Sequence, residues 1–248
     1  MIIGIVGKKQ SGKDTVCTII RYISWLKSSK LWGEVTLNAK HFEAVRESED
    51  IAPILSVWEK HPWAEKLKQC ASIILGCDKS SFETESIKES FTYIPISNSE
   101  GEPMTHREFL QVLGTEVGRT IDPNLWVKSM MSDYDKGFKS YPTYGTDEYG
   151  NTVFVHMNTV EPCWIMPDTR FPNEVQAIKD RKGIVIKVNR DTGLLDNHIS
   201  EHALDDYNDY DYIIDNNGTL GELIVKVATM METLGGASIN NNGLYGGV

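Results

Sequence analysis

The chain opens on an unbroken apolar run, Met1-Ile-Ile-Gly-Ile-Val6, which predicts a short strand buried on both faces of a parallel sheet. From Lys13 to about Lys27 the apolar residues Val16, Ile19, Ile20, Ile23 and Leu26 recur at helical spacing and form one stripe. Leu31–Asn38 is weaker, with Val35-Thr-Leu37 as a candidate strand. Trp63–Leu75 is helical by the spacing of Leu67, Ala71, Ile74 and Leu75, and Gly76 supplies its stop. After a polar stretch from Asp78 to Pro103, Thr105-His-Arg-Glu108 is a capping box, with Phe109, Val112, Leu113 and Val117 continuing the apolar face of its helix. Ile121-Asp-Pro-Asn is a turn, and Leu125–Met131 begins a further helix.

Residues 141–160 alternate around Asp147-Glu-Tyr-Gly-Asn151 and predict a β-hairpin insertion. Cys163–Met166, Ile184–Val188 and Tyr212–Ile214 are strands by their short apolar runs. Glu174–Arg181 and Leu220–Leu234 are helices. Residues 235–248 are rich in glycine and asparagine and predict a disordered tail. Strands alternating with helices predict an α/β fold, a mostly parallel sheet flanked by helices. The pattern shows no internal repeat and no second core, so residues 1–234 read as one domain.

Composition narrows the function classes. A hydrophobic share of 40% and a charged share of 24% describe an ordinary globular chain. No apolar run approaches the roughly 18 residues that span a bilayer, and Met1–Val6 is too short for a signal peptide, so the expected location is cytoplasmic. A net charge of -10 argues against a nucleic-acid binder, which needs a basic face, but not against nucleotides, which need only a few well-aimed cations. It leaves room for a protein partner, a homodimer among the options. The four cysteines have no zinc or redox spacing and read as reduced structural thiols.

Candidate chemistry starts at Gly7-Lys8-Lys9-Gln10-Ser11-Gly12-Lys13, which matches G-x-x-x-x-G-K between a strand and a helix. Such a loop points backbone N–H groups inward at phosphate oxygens, the helix N-terminus adds partial positive charge, and Lys13 reaches the β- and γ-phosphates. The next position, where the motif expects a hydroxyl for Mg²⁺, is Asp14. Asp14 could hold the metal directly or through water, Thr15 could stand in, or Asp14 could serve only the helix dipole.

A second motif, Asp168-Thr-Arg170-Phe-Pro-Asn-Glu174, follows the strand ending at Met166, where open α/β sheets bind ligands. Asp168 is a candidate for Mg²⁺ or a helix cap, and Arg170 a candidate phosphate clamp. Lys68, Arg107, Arg119 and Lys128 are cations that an acceptor phosphate would need, though any one of them taken alone reads first as a solvated surface side chain. Residues 190–202, with Arg190 and His198, suit a lid. Asp215-Asn216-Asn217-Gly218 is a turn by its chemistry and could pass beside a purine.

Taken in order, Gly7–Thr15, Trp63–Lys68, Thr105–Glu116 with Arg119, Trp126-Val127, Asp168–Glu174, His198–Glu201 and Asp215–Gly218 resemble the deoxynucleoside monophosphate kinases of tailed bacteriophages, most closely those of T5-like phages. The resemblance covers nearly the whole chain apart from the hairpin and the tail, and in that family Asp after the loop lysine is usual. It implies a P-loop nucleoside monophosphate kinase fold with an acceptor-binding region at about 60–135 and a lid at about 190–202. It implies MgATP as donor and a deoxynucleoside monophosphate as acceptor, with broad base specificity. Lys13, Arg119, Asp168 and Arg170 would be catalytic. Gly7, Lys8, Gln10, Ser11, Gly12, Lys13, Asp14, Thr15, Asn216 and Gly218 would hold ATP. Lys68, Arg107, Arg119, Arg170 and Glu174 would hold the acceptor, and Asp14 and Asp168 the metal. Phosphomevalonate and dephospho-coenzyme A kinases share parts of the pattern, and a nucleotide-gated switch is the reading outside the enzymes.

Overall fold

The structure is a computed structural model that describes residues 1–28, 37–47, 57–92, 94, 96–98, 100–193 and 202–238. Val35 and Thr36 of the candidate strand, most of the lid segment and the tail beyond residue 238 lie outside the described residues; Leu37 is in no strand, and residues 235–238, expected in the tail, still belong to the last helix. The chain divides into two compact units, Met1–His61 with Cys163–Val248, and Pro62–Pro162. In chain order the first unit supplies β1 (Ile2–Val6), α1 (Lys13–Ser28), α2 (Ala39–Glu47) and β2 (Trp58–Lys60). The second supplies α3 (Glu65–Leu75), α4 (Glu85–Lys88), α5 (His106–Gln111), α6 (Arg119–Ile121), α7 (Leu125–Lys136), β3 (Lys139–Thr146) and β4 (Thr152–Val160). The first unit then resumes with β5 (Cys163–Met166), α8 (Pro172–Asp180), β6 (Ile184–Asn189), β7 (Tyr212–Asp215) and α9 (Leu220–Ser238).

In the first unit five strands pair in the order β2-β5-β1-β6-β7, every pairing parallel. Strand β1 is central and buried at all of its positions, as its unbroken apolar run requires. Alternate residues serve opposite faces. Ile3 and Ile5 join Ile165, Ile186, Val188 and Ile214 in one cluster with α1 and α9. The stripe Val16, Ile19, Ile20, Ile23 and Leu26 of α1 is fully buried there. On the other face α8 rides directly over β1: a Cβ on Gly4 would come within 2.4 Å of Ile178 Cδ1, so a larger residue there would require the Ile178 side chain to move.

The second unit has a small core of its own, with Ala71 and Leu75 of α3 and Phe82 buried against Phe109, Leu110 and Leu113. Periodicity does not announce this core because its members come from several short pieces. Helix α3 ends as expected at Gly76, whose left-handed φ of 61° lets the amides of Gly76 and Cys77 turn back onto Ile73 and Ser72 carbonyls. The capping box at Thr105 is formed: Glu108 N–H donates to Thr105 Oγ1 at 3.2 Å, and Thr105 N–H donates to Glu108 Oε2 at 2.8 Å. Beyond Gln111 the backbone is π-helical from Val112 to Gly118. That wider turn shifts the phase of the stripe, and Val117, expected on the apolar face, is 44% exposed. Gly118 faces the Trp126 ring, 2.7 Å from where a Cβ would sit, and the Trp126 indole N–H donates to Gly114 O at 2.9 Å.

Strands β3 and β4 pair antiparallel from Lys139↔Val160 to Thr146↔Thr152, with an irregularity between Thr143 and Tyr144. The expected hairpin is therefore present and begins two residues earlier. Strand β2 was not expected: it is three residues long with only Trp58 buried, so it leaves no alternation to read. None of the four cysteines is in a disulfide. Among the described residues no helix is long and apolar enough to cross a membrane.

Two substitutions test this architecture. Ile20→Ala removes a fully buried side chain from the α1 face and is expected to cost ~2–5 kcal/mol in urea unfolding. Gly76→Ala has open space around it but forces a left-handed alanine, so a loss of about 1–2 kcal/mol is expected in the same measurement.

Candidate active site at the carboxyl edge of the sheet

Because the five strands are parallel, their carboxyl ends, Val6, Lys60, Met166, Asn189 and Asp215, lie along one edge of the sheet. The glycine loop leaves β1 at this edge. Gln10 has φ 62° and Gly12 φ 97°, the two left-handed positions that fold the loop back on itself. Ser11 N–H donates to Lys8 O at 3.1 Å, and Val16 N–H begins the ladder of α1 by donating to Gly12 O at 2.9 Å. Gly7 has no room for a side chain, since a Cβ would lie 2.5 Å from Ser11 Oγ and 2.6 Å from Val188 O.

The Lys13 ammonium is folded into the loop and donates to Gly7 O at 2.6 Å and Lys8 O at 2.7 Å, with the residue buried. The Ser11 side chain is buried too, and its hydroxyl has no protein partner among the described residues. Just after β7, Asn216 is buried and its side-chain amide donates to Ser11 O at 2.8 Å. A Cβ on Gly12 would collide with that amide at 2.4 Å. The chain just past the last strand thus clamps the first loop. The expected turn is also present, with Asp215 Oδ1 accepting from Asn217 N–H at 3.1 Å; Gly218 lies exposed beyond it.

Asp168 is half-buried in the turn straight after β5. It is not the cap of α8: that helix begins after Phe171, with Pro172 in its first turn. The end of the motif is organised by Glu174, which is buried and whose Oε2 accepts from Arg170 N–H at 2.7 Å and Phe171 N–H at 3.1 Å. Its carboxylate is committed to fixing the backbone of Arg170. The spacing of Phe171 to Glu174 is that of a helix N-terminus with an acid at its third position, a signal the sequence carries.

Asp14 projects from the first turn of α1 and is 78% exposed at its side chain, with Oδ1 accepting from the Lys60 ammonium at 2.6 Å. Thr15 is half-buried beside it. Partial burial works against the charge on Lys60, but the hydrogen bond and charge of Asp14, joined by Cys17 and Asp168, outweigh it and hold the lysine above its usual pKa. The Cys17 thiol is pushed up to about 11 by its burial, so it stays protonated.

Beside the loop, on the β6 side, lies an open pocket of about 340 Å³ lined by Lys8, Arg170, Lys187, Arg190, Asp205 and Tyr210 among others. The Lys187 ammonium sits 4.9 Å from the Tyr210 ring centre. Lys8 forms an ion pair with Asp205, and His202 Nδ1 meets the other oxygen of that carboxylate at 2.7 Å. Those hydrogen bonds, the one from Lys8 first, hold Asp205 below the usual aspartate pKa.

The structure therefore brings together Gly7–Thr15, Asp168, Arg170, Glu174, Arg190, Asn216 and Gly218 on the first unit. Lys68, Arg107 and Arg119 belong to the second unit. There Lys68 pairs with Glu83 at 3.0 Å and Arg107 with Glu89, while Arg119 opens α6. Lys128 pairs with Asp122. His198 lies outside the described residues. Sequence reasoning missed Lys60 and Lys187, which reach the edge through strand order, and Asp205 and Tyr210, which come from the segment before β7; none carries a motif.

Known proteins bear on this geometry. A family model for deoxynucleotide monophosphate kinase matches residues 49–227, most of the chain, and begins downstream of the glycine loop, so the loop stands as a separate observation. A protein of Acanthamoeba polyphaga mimivirus, provisionally named a deoxynucleotide monophosphate kinase, is 27% identical over 173 residues, 68% of this chain and 81% of its own. The deoxynucleotide monophosphate kinase of Enterobacteria phage T4 is 30% identical over 155 residues, 59% of this chain and 56% of its own, so the match spans about half of that relative. The chain belongs to the deoxynucleotide monophosphate kinase family, and its reaction is phosphoryl transfer to a small nucleotide.

Proposed function

We propose that the chain takes ATP, as its magnesium complex, and transfers the γ-phosphate to deoxynucleoside monophosphates of more than one base, as the enzymes of T5-like phages do, making diphosphates for DNA synthesis. The observation that carries the donor half is the Lys13 ammonium folded into its own loop at 2.6 Å and 2.7 Å from two carbonyls. Phosphate oxygens are stronger acceptors than carbonyls for a charged donor, so the ammonium is poised to exchange. The buried Ser11 hydroxyl, without a protein partner among the described residues, fits a phosphate oxygen in the same way.

The donor set also fits magnesium. No cluster of three or more His, Cys, Asp or Glu that would hold a metal on its own occurs among the described residues. Mg²⁺ does not need one, since it commonly takes one or two carboxylates and completes its shell with phosphate and water. Asp14 already engages a cation, the Lys60 ammonium, and Asp168 lies within its electrostatic reach. These two carboxylates would hold the metal, which when bound would neutralise charge on the phosphate oxygens.

The chain's own residues do the remaining work. Lys13 binds the β- and γ-phosphates, and Asn216 keeps the loop in shape while it does so. Arg170, its backbone fixed by Glu174, and Arg119 would align the acceptor, and Lys68 and Arg107 would bind its phosphate. Both of the latter hold carboxylates that an acceptor must displace. The segment at about 190–202, with Arg190 and His198, would serve as the lid that excludes water from the transfer. An ionised monophosphate is already a nucleophile, so no strong general base is required and positioning dominates.

Lys13→Ala is expected to lower acceptor-dependent ADP release by roughly 100-fold or more, with the unfolding midpoint little changed. Normal turnover in that variant would refute the donor site. In a coupled ADP-release assay, several deoxynucleoside monophosphates are expected to act as acceptors while phosphomevalonate and dephospho-coenzyme A do not. A preference for either of those two would reassign the acceptor.

A further inference from the structure

Lys60 has no place in the motifs, yet it ends β2, opposite Ile165 of β5, at the carboxyl edge. From there its ammonium reaches Asp14, the residue next to the phosphate-binding Lys13. We infer that Lys60 is an exchangeable counter-ion of Asp14: ammonium and divalent metal compete for one carboxylate, so metal enters only with a nucleotide whose phosphates take over the ammonium. The inference rests on the reading that Asp14 and Asp168 hold the metal of the nucleotide complex.

Three observations carry it. The pair is built on rigid supports, the last residue of a sheet strand and the first turn of a helix, so the contact at 2.6 Å is set by the fold. Second, stability does not explain it. Side chains exposed at 41% and 78% form the kind of ion pair that contributes only about 0–1 kcal/mol, and such a pair is cheap to exchange. Third, Lys60 also feels Asp168, so one cation serves both of the carboxylates assigned to the metal. A lysine suits an exchange better than an arginine would, because it is a compact charge on a flexible stem whose donors rotate freely to a new acceptor.

The consequence is selectivity for the complex over its parts. With Lys60 beside Asp14, a free divalent ion meets a neutralised carboxylate and too few ligands. A nucleotide complex brings its own phosphate oxygens, which complete the metal shell and receive the ammonium.

The test is Mn²⁺ binding to the full chain, without nucleotide, followed by electron paramagnetic resonance for the wild type, Lys60→Met and Lys60→Arg. Loss of a unit charge a few Å from a divalent ion under near-aqueous screening is expected to tighten Mn²⁺ binding about tenfold or more in Lys60→Met. Lys60→Arg, which keeps the charge, is expected to match the wild type. Addition of Asp14→Asn to Lys60→Met is expected to abolish the gain. A gain of binding cannot come from misfolding, and circular dichroism checks each variant. Equal Mn²⁺ affinity in Lys60→Met and wild type overturns the inference. If Asp14→Asn and Asp168→Asn leave metal-dependent turnover unchanged, the underlying metal assignment fails instead, whatever the lysine variants do.

Discussion

The site depends on one constraint: seven residues, Gly7 to Lys13, must turn tightly enough that the ammonium at the end of the turn reaches the carbonyls at its beginning. The bonds from Lys13 to Gly7 O and Lys8 O, at 2.6 Å and 2.7 Å, show that the turn achieves it. It does so with two left-handed residues, Gln10 and Gly12, and with a first glycine pressed against Val188 O. Such a loop would not hold this shape alone. It is strung between a strand buried at every position and a helix whose whole stripe is buried, and it is tied at Ser11 by Asn216 from the far end of the chain.

That tie explains why the parallel sheet matters to the chemistry. Parallel strands gather their carboxyl ends at one edge, so side chains distant in sequence arrive at the same loop. Asn216 and Ser11 are separated by 205 positions, and Lys60 and Asp14 by 46. The result is an edge where cations and carboxylates alternate: Lys13 in the loop, Lys60 with Asp14, Lys8 with Asp205, and Arg170 fixed through Glu174. Of these, only Lys60 with Asp14 and Lys8 with Asp205 are ion pairs; Lys13 donates to backbone carbonyls, and Glu174 fixes the backbone of Arg170. Exchange of such partners suits a site that must bind and release charged ligands repeatedly.

What the sequence made legible were features whose causes are local. The strand, the glycine loop and the stripe of α1 follow one another without interruption, and their spacing alone predicts their geometry. The Thr105 capping box and the Gly76 stop are likewise settled within a few residues, and both formed. Features set by tertiary structure were not legible. Strand β2 has one buried residue and no alternation, so Lys60 reads as a solvated lysine until strand order places it. Val117 carries the right spacing for an apolar face, but the π-helical turn before it, with glycines fitted around Trp126 and Leu67, rotates it outward. The helix-cap alternative for Asp168 stays open in the sequence until the structure shows α8 starting after Phe171.

The central claim is that the phosphate held by the Lys13 loop goes to a second nucleotide and not to water. Its most direct measurement is the fate of the phosphorus, followed by ³¹P resonance with ATP, Mg²⁺ and one deoxynucleoside monophosphate. The account predicts that loss of the ATP γ signal is matched by a β signal of the deoxynucleoside diphosphate, with no inorganic phosphate, and that omission of the monophosphate stops the loss. Steady release of inorganic phosphate, independent of the monophosphate, would contradict it.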